Sequence, residues 1–190
     1  MRPVEHISKK DLLTHLLALD IESRNRRFGF SIGDSGLEGY TSNIADTDII
    51  IGIKESAVSD TIVAAVHLAI DNNNQAELGI STLQQYRRQG LAERLVRFSV
   101  DILRNRGIDH LYTVCSPTND PLLKMFNKLN IATVAPSFDE REAKLSIPVA
   151  GLDSITNEMY NYRLVVIDNT LRPWAKLWTT MFKTIGNKND

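Results

Sequence analysis

Residues 76 to 92 read Ala76-Glu77-Leu78-Gly79-Ile80-Ser81-Thr82-Leu83-Gln84-Gln85-Tyr86-Arg87-Arg88-Gln89-Gly90-Leu91-Ala92. The first seven residues have strand character, and alternation puts Glu77, Gly79 and Ser81 on one face. A short polar loop follows and opens a helix, whose apolar face is Leu91, Leu95, Phe98 and Ile102. The first four N–H groups of a helix have no internal partner, and the helix dipole adds partial positive charge there. The loop contributes two arginines, a glycine that lets the backbone approach closely, and the small Ala92. Strand, loop and helix together predict an anion site of the kind that holds a pyrophosphate.

The flanking sequence supplies the rest of the domain. Ser8 and Asp11 resemble a capping box, and Leu12, Leu13, Leu16 and Leu17 recur at helical spacing, which predicts a helix over residues 8–19. Residues 20–46 are polar and glycine-containing, and read as loop plus a short helix. Runs at 48–53, 61–70 and 76–82 are β-rich. The turn Asp71-Asn72-Asn73-Asn74 joins the last two, so the three form an antiparallel meander. After Gly107, which is placed to cap the helix C-terminus, come a strand at 111–115, a helix at 119–128, and strands at 131–134 and 144–147. The expected fold class is α/β of the mixed α+β kind, a mixed and mostly antiparallel sheet flanked by helices. Residues 1–150 form the main domain. Residues 151–190 form a helical extension, read as helices at 154–167 and 172–185, that packs on the domain or on a second subunit.

Composition sets further bounds. The chain has 190 residues, 43 % hydrophobic and 24 % charged, with a net charge of -1. That is ordinary for a soluble globular protein and gives no basic field for nucleic acid. Cys115 is the single cysteine, so no internal disulfide forms. Met1 to His6 lack an apolar signal core, and the longest apolar stretch, Ile62 to Ile70, is far too short to span a bilayer. The expectation is a cytoplasmic protein with no membrane partner. His6, His15, His67 and His110 show no metal-ligand spacing, so no metal is expected.

The stretch Arg87-Arg88-Gln89-Gly90-Leu91-Ala92 resembles the acyl-CoA-binding signature of the GNAT N-acetyltransferase superfamily: Arg or Gln, two residues, Gly, one residue, then Gly or Ala. The resemblance runs from about His15 to Val134. Arg24 to Phe28 resembles an Arg-rich segment of one bacterial branch, Asn105 to Ile108 the end of the long central helix, and Lys124 to Ile131 the family's Leu-Tyr-Glu-Lys-Leu-Gly-Phe. What the resemblance implies is specific. The sheet splays near the end of its fourth strand, and acetyl-CoA is the donor for an amine acceptor. Backbone groups at Ile80, Thr82 and Leu83 hold the pantetheine arm. Arg87, Arg88, Gln89, Gly90, Leu91 and Ala92 hold the pyrophosphate, and Asn119 reaches the donor. Glu77, on the strand before the loop, is the expected general base. Two departures stand out. The tyrosine that often protonates the leaving thiolate falls at Phe126, leaving Tyr86, Tyr112, Cys115 and Ser116 as candidates by residue type. The usual Gly-Phe is Asn130-Ile131, and Asn tolerates left-handed angles.

Blander roles stand beside these. Arg87 and Arg88 also suit a solvated surface, Glu77 a structural ion pair, and Cys115 a buried strand position. Arg94, Arg97, Arg104 and Arg106 suit a wet helix face. The alternative to an active acetyltransferase is a catalytically inactive acyl-CoA sensor or interaction module, which Phe126 favours. Trp174, Leu177, Trp178, Met181 and Phe182 form one apolar helix stripe. Three covers compete for it: the chain's own domain, a second copy in a homodimer, or a membrane or other protein.

Overall fold

The computed structural model describes residues 2–71, 73–115, 120–128 and 141–186. A short strand β1 (Glu5–His6) leads into α1 (Lys9–Leu17), α2 (Ile21–Phe28) and α3 (Asp34–Ser42). Strands β2 (Ile49–Lys54), β3 (Ile62–Ile70) and β4 (Gln75–Thr82) follow, then a 3-10 turn at Gln84–Tyr86 and α4 (Leu91–Asn105). The order closes with β5 (His110–Cys115), α5 (Asp120–Lys128), β6 (Arg141–Ser146) and α6 (Leu152–Gly186).

The six strands lie side by side in chain order. Every neighbouring pair is antiparallel except β4 and β5, which are parallel. Ile49, Ile50, Ile51 and Ile53 in β2, and Ile62 to Leu68 in β3, are buried, because these two strands are covered on both faces. Strands buried on both faces read as continuous β-branched runs rather than as alternation. In register, His67 of β3 faces Gly79 of β4, Ala65 faces Ser81 and Ala69 faces Glu77. Helix α4 packs on β2, β3 and β4, placing Leu95, Val96, Ile102 and Leu103 in the core.

Local signals explain the helix boundaries. Ser8 Oγ accepts from Asp11 N at 3.1 Å and Asp11 Oδ2 accepts from Ser8 N at 3.2 Å, so Asp completes the capping box in place of Glu. Residues 20–46 hold two helices where loop and one short helix were expected. Asp20 caps α2 by accepting from Ser23 N at 2.7 Å, and Gly29 ends it with a left-handed φ of 79°.

The C-terminal extension is one 35-residue helix, α6, with Pro173 inside it, not two helices. Proline removes one backbone hydrogen bond. Here the flanking turns are tied to the domain, by Arg172 to Glu5 and Asp60, by Lys176 to Asp60, and by Asp168 to Arg2. The first turns of α6 pack on α4, where Arg104 pairs with Asp153 and Arg106 with Glu158. Two of the arginines read as a wet face therefore clamp α6. Strand β6 begins three residues before the expected 144, and the strand expected at 131–134 lies outside the described residues.

Candidate active site

The parallel pairing of β4 with β5 is short. Gln75, Ala76 and Glu77 register with His110, Leu111 and Tyr112, and beyond them β4 pairs only with β3. Thr113 Oγ1 donates to the Leu78 carbonyl at 2.8 Å, just where the strands part. The sheet therefore splits at the middle of β4. A cavity of about 540 Å³ lies along this end of β4. Ile80, Ser81 and Thr82 form part of its wall, Arg87, Arg88, Gly90, Leu91 and Ala92 another, and Leu122, Lys124, Met125 and Lys128 of α5 a third.

The loop into α4 is built to present N–H groups. Arg88 has a φ of 62° and Gly90 a φ of 76°, so the chain turns through the left-handed region twice in three residues. Alternating backbone signs of this kind aim successive N–H groups at one side. Arg94 N is the first to bond back into the helix, to Gly90 O at 3.0 Å. The N–H groups of residues 88 to 93 have no partner among the described residues. A Cβ placed on Gly90 would meet nothing within 4 Å, so the space above the loop is open. The donor set suits an anion with several oxygens.

Charged side chains frame the loop. Arg87 is not free in solvent: it donates to Ser23 Oγ and to Thr82 O, at 3.4 Å, and pins α2 to the end of β4. Glu93 sits in the first turn of α4, but Lys128 at 2.8 Å and Arg97 at 3.2 Å neutralise it. The Lys128 hydrogen bond, then that of Arg97, holds the Glu93 carboxyl below the usual range. The Lys128–Glu93 pair also ties α5 to α4 across the cavity.

On the α1–α2 side of β4, a chain of hydrogen bonds runs in one direction. Arg27 Nη2 donates to Tyr40 Oη at 2.8 Å. Tyr40 Oη lies 2.6 Å from His67 Nδ1, and His67 Nε2 lies 3.1 Å from Asp48 Oδ2. Asp48 accepts only, so Nε2 carries the proton, Nδ1 accepts, and the Tyr40 hydroxyl donates to it. Burial pushes the His67 pKa down and the Tyr40 pKa up, which keeps both neutral. Nearby, His15 Nδ1 bonds the Ile62 carbonyl at 2.8 Å and its Nε2 accepts from Ser81 Oγ at 2.9 Å. Burial lowers the His15 pKa as well.

A family model described as Acetyltransferase (GNAT) family matches residues 18–131. The chain belongs to this GNAT family. Among solved structures, the ribosomal-protein-S18-alanine N-acetyltransferase of Escherichia coli superposes with a TM-score of 0.58 at 18 % identity, covering 80 % of this chain and 98 % of that one. A putative phosphinothricin N-acetyltransferase gives 0.63 at 15 % identity, covering 78 % and 99 %. The GNAT domain of S. lividans PAT gives 0.62 at 16 % identity, covering 75 % and 89 %. These likenesses establish the fold. A stretch of 110 residues is 26 % identical to part of the DNA replication and repair protein RecF of Clostridium tetani, covering 56 % of this chain and 30 % of that protein. The chain thus spans about a third of the length of that curated relative.

Within this GNAT fold, the residues expected from sequence fall as follows. Ile80, Thr82, Arg87, Arg88, Gly90, Leu91 and Ala92 line the one cavity. Leu83 is buried at the strand's end, and Gln89 faces a second hollow across the loop, which Arg2, Tyr86 and Arg97 also line. Glu77 is half-buried, two residues up β4 from Gly79, and is not in the cavity wall. Asn119 and Ser116 lie outside the described residues. Phe126 is 3 % exposed and packs in the core. Tyr86 donates to Glu55 and lines the cavity. Among the described residues, no three His, Cys, Asp or Glu side chains converge as a metal site, and no helix is long and apolar enough to cross a membrane. The chain Arg27–Tyr40–His67–Asp48 escaped the sequence reading. Its one local trace is a histidine and an arginine set in otherwise apolar or structural contexts.

Proposed function

We propose that this protein is an N-acetyltransferase that moves the acetyl group of acetyl-CoA onto an amine. The observation that carries the proposal is the row of unpartnered N–H groups at residues 88–93, opening on the same cavity as Ile80 and Thr82. The diphosphate of a CoA thioester matches those donors. Gly90, Leu91 and Ala92 hold it with backbone, Arg88 with charge, and Arg87 by fixing the wall through Ser23. The edge of β4 freed beyond Leu78 offers Ile80 and Thr82 to the pantetheine amides, whereas Leu83, expected to join them, spends its N–H on the Val63 carbonyl and its own carbonyl on Tyr86 N, each at 2.9 Å. Asn119 is proposed to reach the donor from the β5 side.

Glu77 takes the proton from the attacking amine, directly or through water. It lies on the α1–α2 face of β4, beside the Arg27–Tyr40–His67–Asp48 chain. The leaving thiolate is stable enough to depart without the family's tyrosine, whose position Phe126 fills. Phe126 also favours a second reading, a non-catalytic acyl-CoA module. We place the protein in the cytoplasm, without metal, and propose a second copy of the chain as cover for the exposed face of α6.

Release of free CoA thiol from acetyl-CoA across a broad amine panel tests the activity. Steady release dependent on an amine is expected. Tight donor binding by calorimetry without release from any amine would replace the enzyme with the non-catalytic module. Unaltered donor affinity in Gly90→Val would remove the site itself.

A further inference from the structure

Arg27 lines the cavity and forms no ion pair among the described residues. On the same helix, Arg24 pairs with Asp34 and Arg26 with Glu22. Arg27 is half-buried, and no carboxylate lies within ion-pair range of it among the described residues. Its guanidinium occupies the space that a side chain at position 79 would fill: a Cβ on Gly79 would stand 1.5 Å from Arg27 Nη2. It is held there from outside, with Cζ 4.9 Å from the Phe28 ring centroid and Nη2 on Tyr40. One of its five N–H groups is thereby used, and the fork also faces the cavity. A fixed, partly desolvated guanidinium of this kind binds a carboxylate strongly.

We infer that Arg27 anchors the carboxylate of the acceptor, and that the acceptor is an α-amino acid. This rests on the acetyltransferase proposal above. The proposed phosphate-binding donors are the N–H groups of residues 88–93, so the donor's own anions are accommodated without Arg27. Glu77 projects from the same face of β4 two residues away, and a strand advances about 6.7 Å in two residues. Hydrogen bonds of about 2.8 Å at each end, with about 2.7 Å between amine and carboxylate, let one α-amino acid span up to about 8.3 Å, enough to bridge that separation along a bent path. Gly79, lacking a side chain, is what allows the anchor to sit this close to the strand.

The test pairs L-amino acids with the corresponding amino-acid amides. Binding to the CoA-saturated protein is measured by calorimetry, and turnover by thiol release. The acid should be favoured over its amide by about 10- to 100-fold, the worth of a charge-assisted hydrogen bond. Arg27→Gln should collapse that ratio, and Arg27→Lys should restore part of it. Equal binding of acid and amide, or no binding of either, overturns the inference. Acetylation of amines without carboxylate preference sinks this inference alone, whereas no amine-dependent thiol release sinks the function. Comparison of succinyl-CoA with acetyl-CoA closes the remaining route. If Arg27→Gln alters donor choice and leaves the acid-to-amide ratio intact, the carboxylate belongs to the acyl group and the inference fails.

Discussion

At the scale of single residues, Gly90 and Glu77 carry separable expectations. Gly90 has a φ of 76° and open space over its Cα. Gly90→Ala should therefore destabilise the fold by about 1 kcal/mol through backbone strain. Gly90→Val should in addition weaken acetyl-CoA. Thermal melts with calorimetry distinguish the two, since strain alone lowers the melting point and leaves affinity untouched. Glu77→Gln should reduce turnover by ~10²–10⁴ with donor affinity kept, as expected for a lost base. Wild-type turnover in that variant across the pH range would move the base elsewhere. His15 and His67 give a pH expectation. Burial depresses both folded pKa values below the unfolded value of about 6.5, so the folded state resists taking their protons. Their contribution is complete above that pH and is lost as pH falls below it. Melting points should drop between about pH 7 and pH 5, more steeply in the wild type than in His15→Gln or His67→Gln.

At the scale of elements, legibility followed locality. The capping box at Ser8 and Asp11, the β2–β4 meander and the loop into α4 each depend on neighbours within a few positions, and all could be read directly. Arg27, Tyr40, Asp48 and His67 are scattered over forty residues and meet only because α2, α3, β2 and β3 converge on one face. No spacing rule connects them. Residues 20–46 were misjudged because Gly29 and Gly33 cap helices and Gly36 and Gly39 are carried inside α3, and α6 because tertiary ion pairs hold the turns on either side of Pro173. The split between β4 and β5 was implied only by family resemblance, yet it has a visible stop. Thr113→Val should leave the Leu78 carbonyl without its 2.8 Å bond, costing about 1–3 kcal/mol. Chemical denaturation of Thr113→Val and Thr113→Ser checks this. Equal loss in both would assign the effect to packing rather than to the hydroxyl.

At the scale of the whole molecule, α6 holds to the domain by its polar side and turns its apolar side outward. Trp174, Trp178 and Met181 are 64 %, 59 % and 52 % exposed, although they share the helix with the buried network of Arg172. The Arg172 side chain is 11 % exposed and contacts Glu5, at 9 %, and Asp168, at 17 %. Glu5 keeps Lys54 at 3.1 Å and Asp168 keeps Arg2 at 2.6 Å, so Arg172→Ala removes a shared cation without stranding either carboxylate and should destabilise the protein by about 1–3 kcal/mol. Replacing Trp174 and Trp178 with Gln should leave the monomer's stability nearly unchanged, because neither ring is buried in it. The outward face should instead govern association, since soluble monomers rarely expose apolar strips of this length. Light scattering should show a mass that rises with concentration in the wild type, and a constant monomer mass in the double Trp variant. A wild-type mass independent of concentration at the monomer value would exclude the second copy as cover for α6. If Arg172→Ala were neutral, the ion pairs would not be what fastens the helix to the domain, and the contact with α4 would have to hold it.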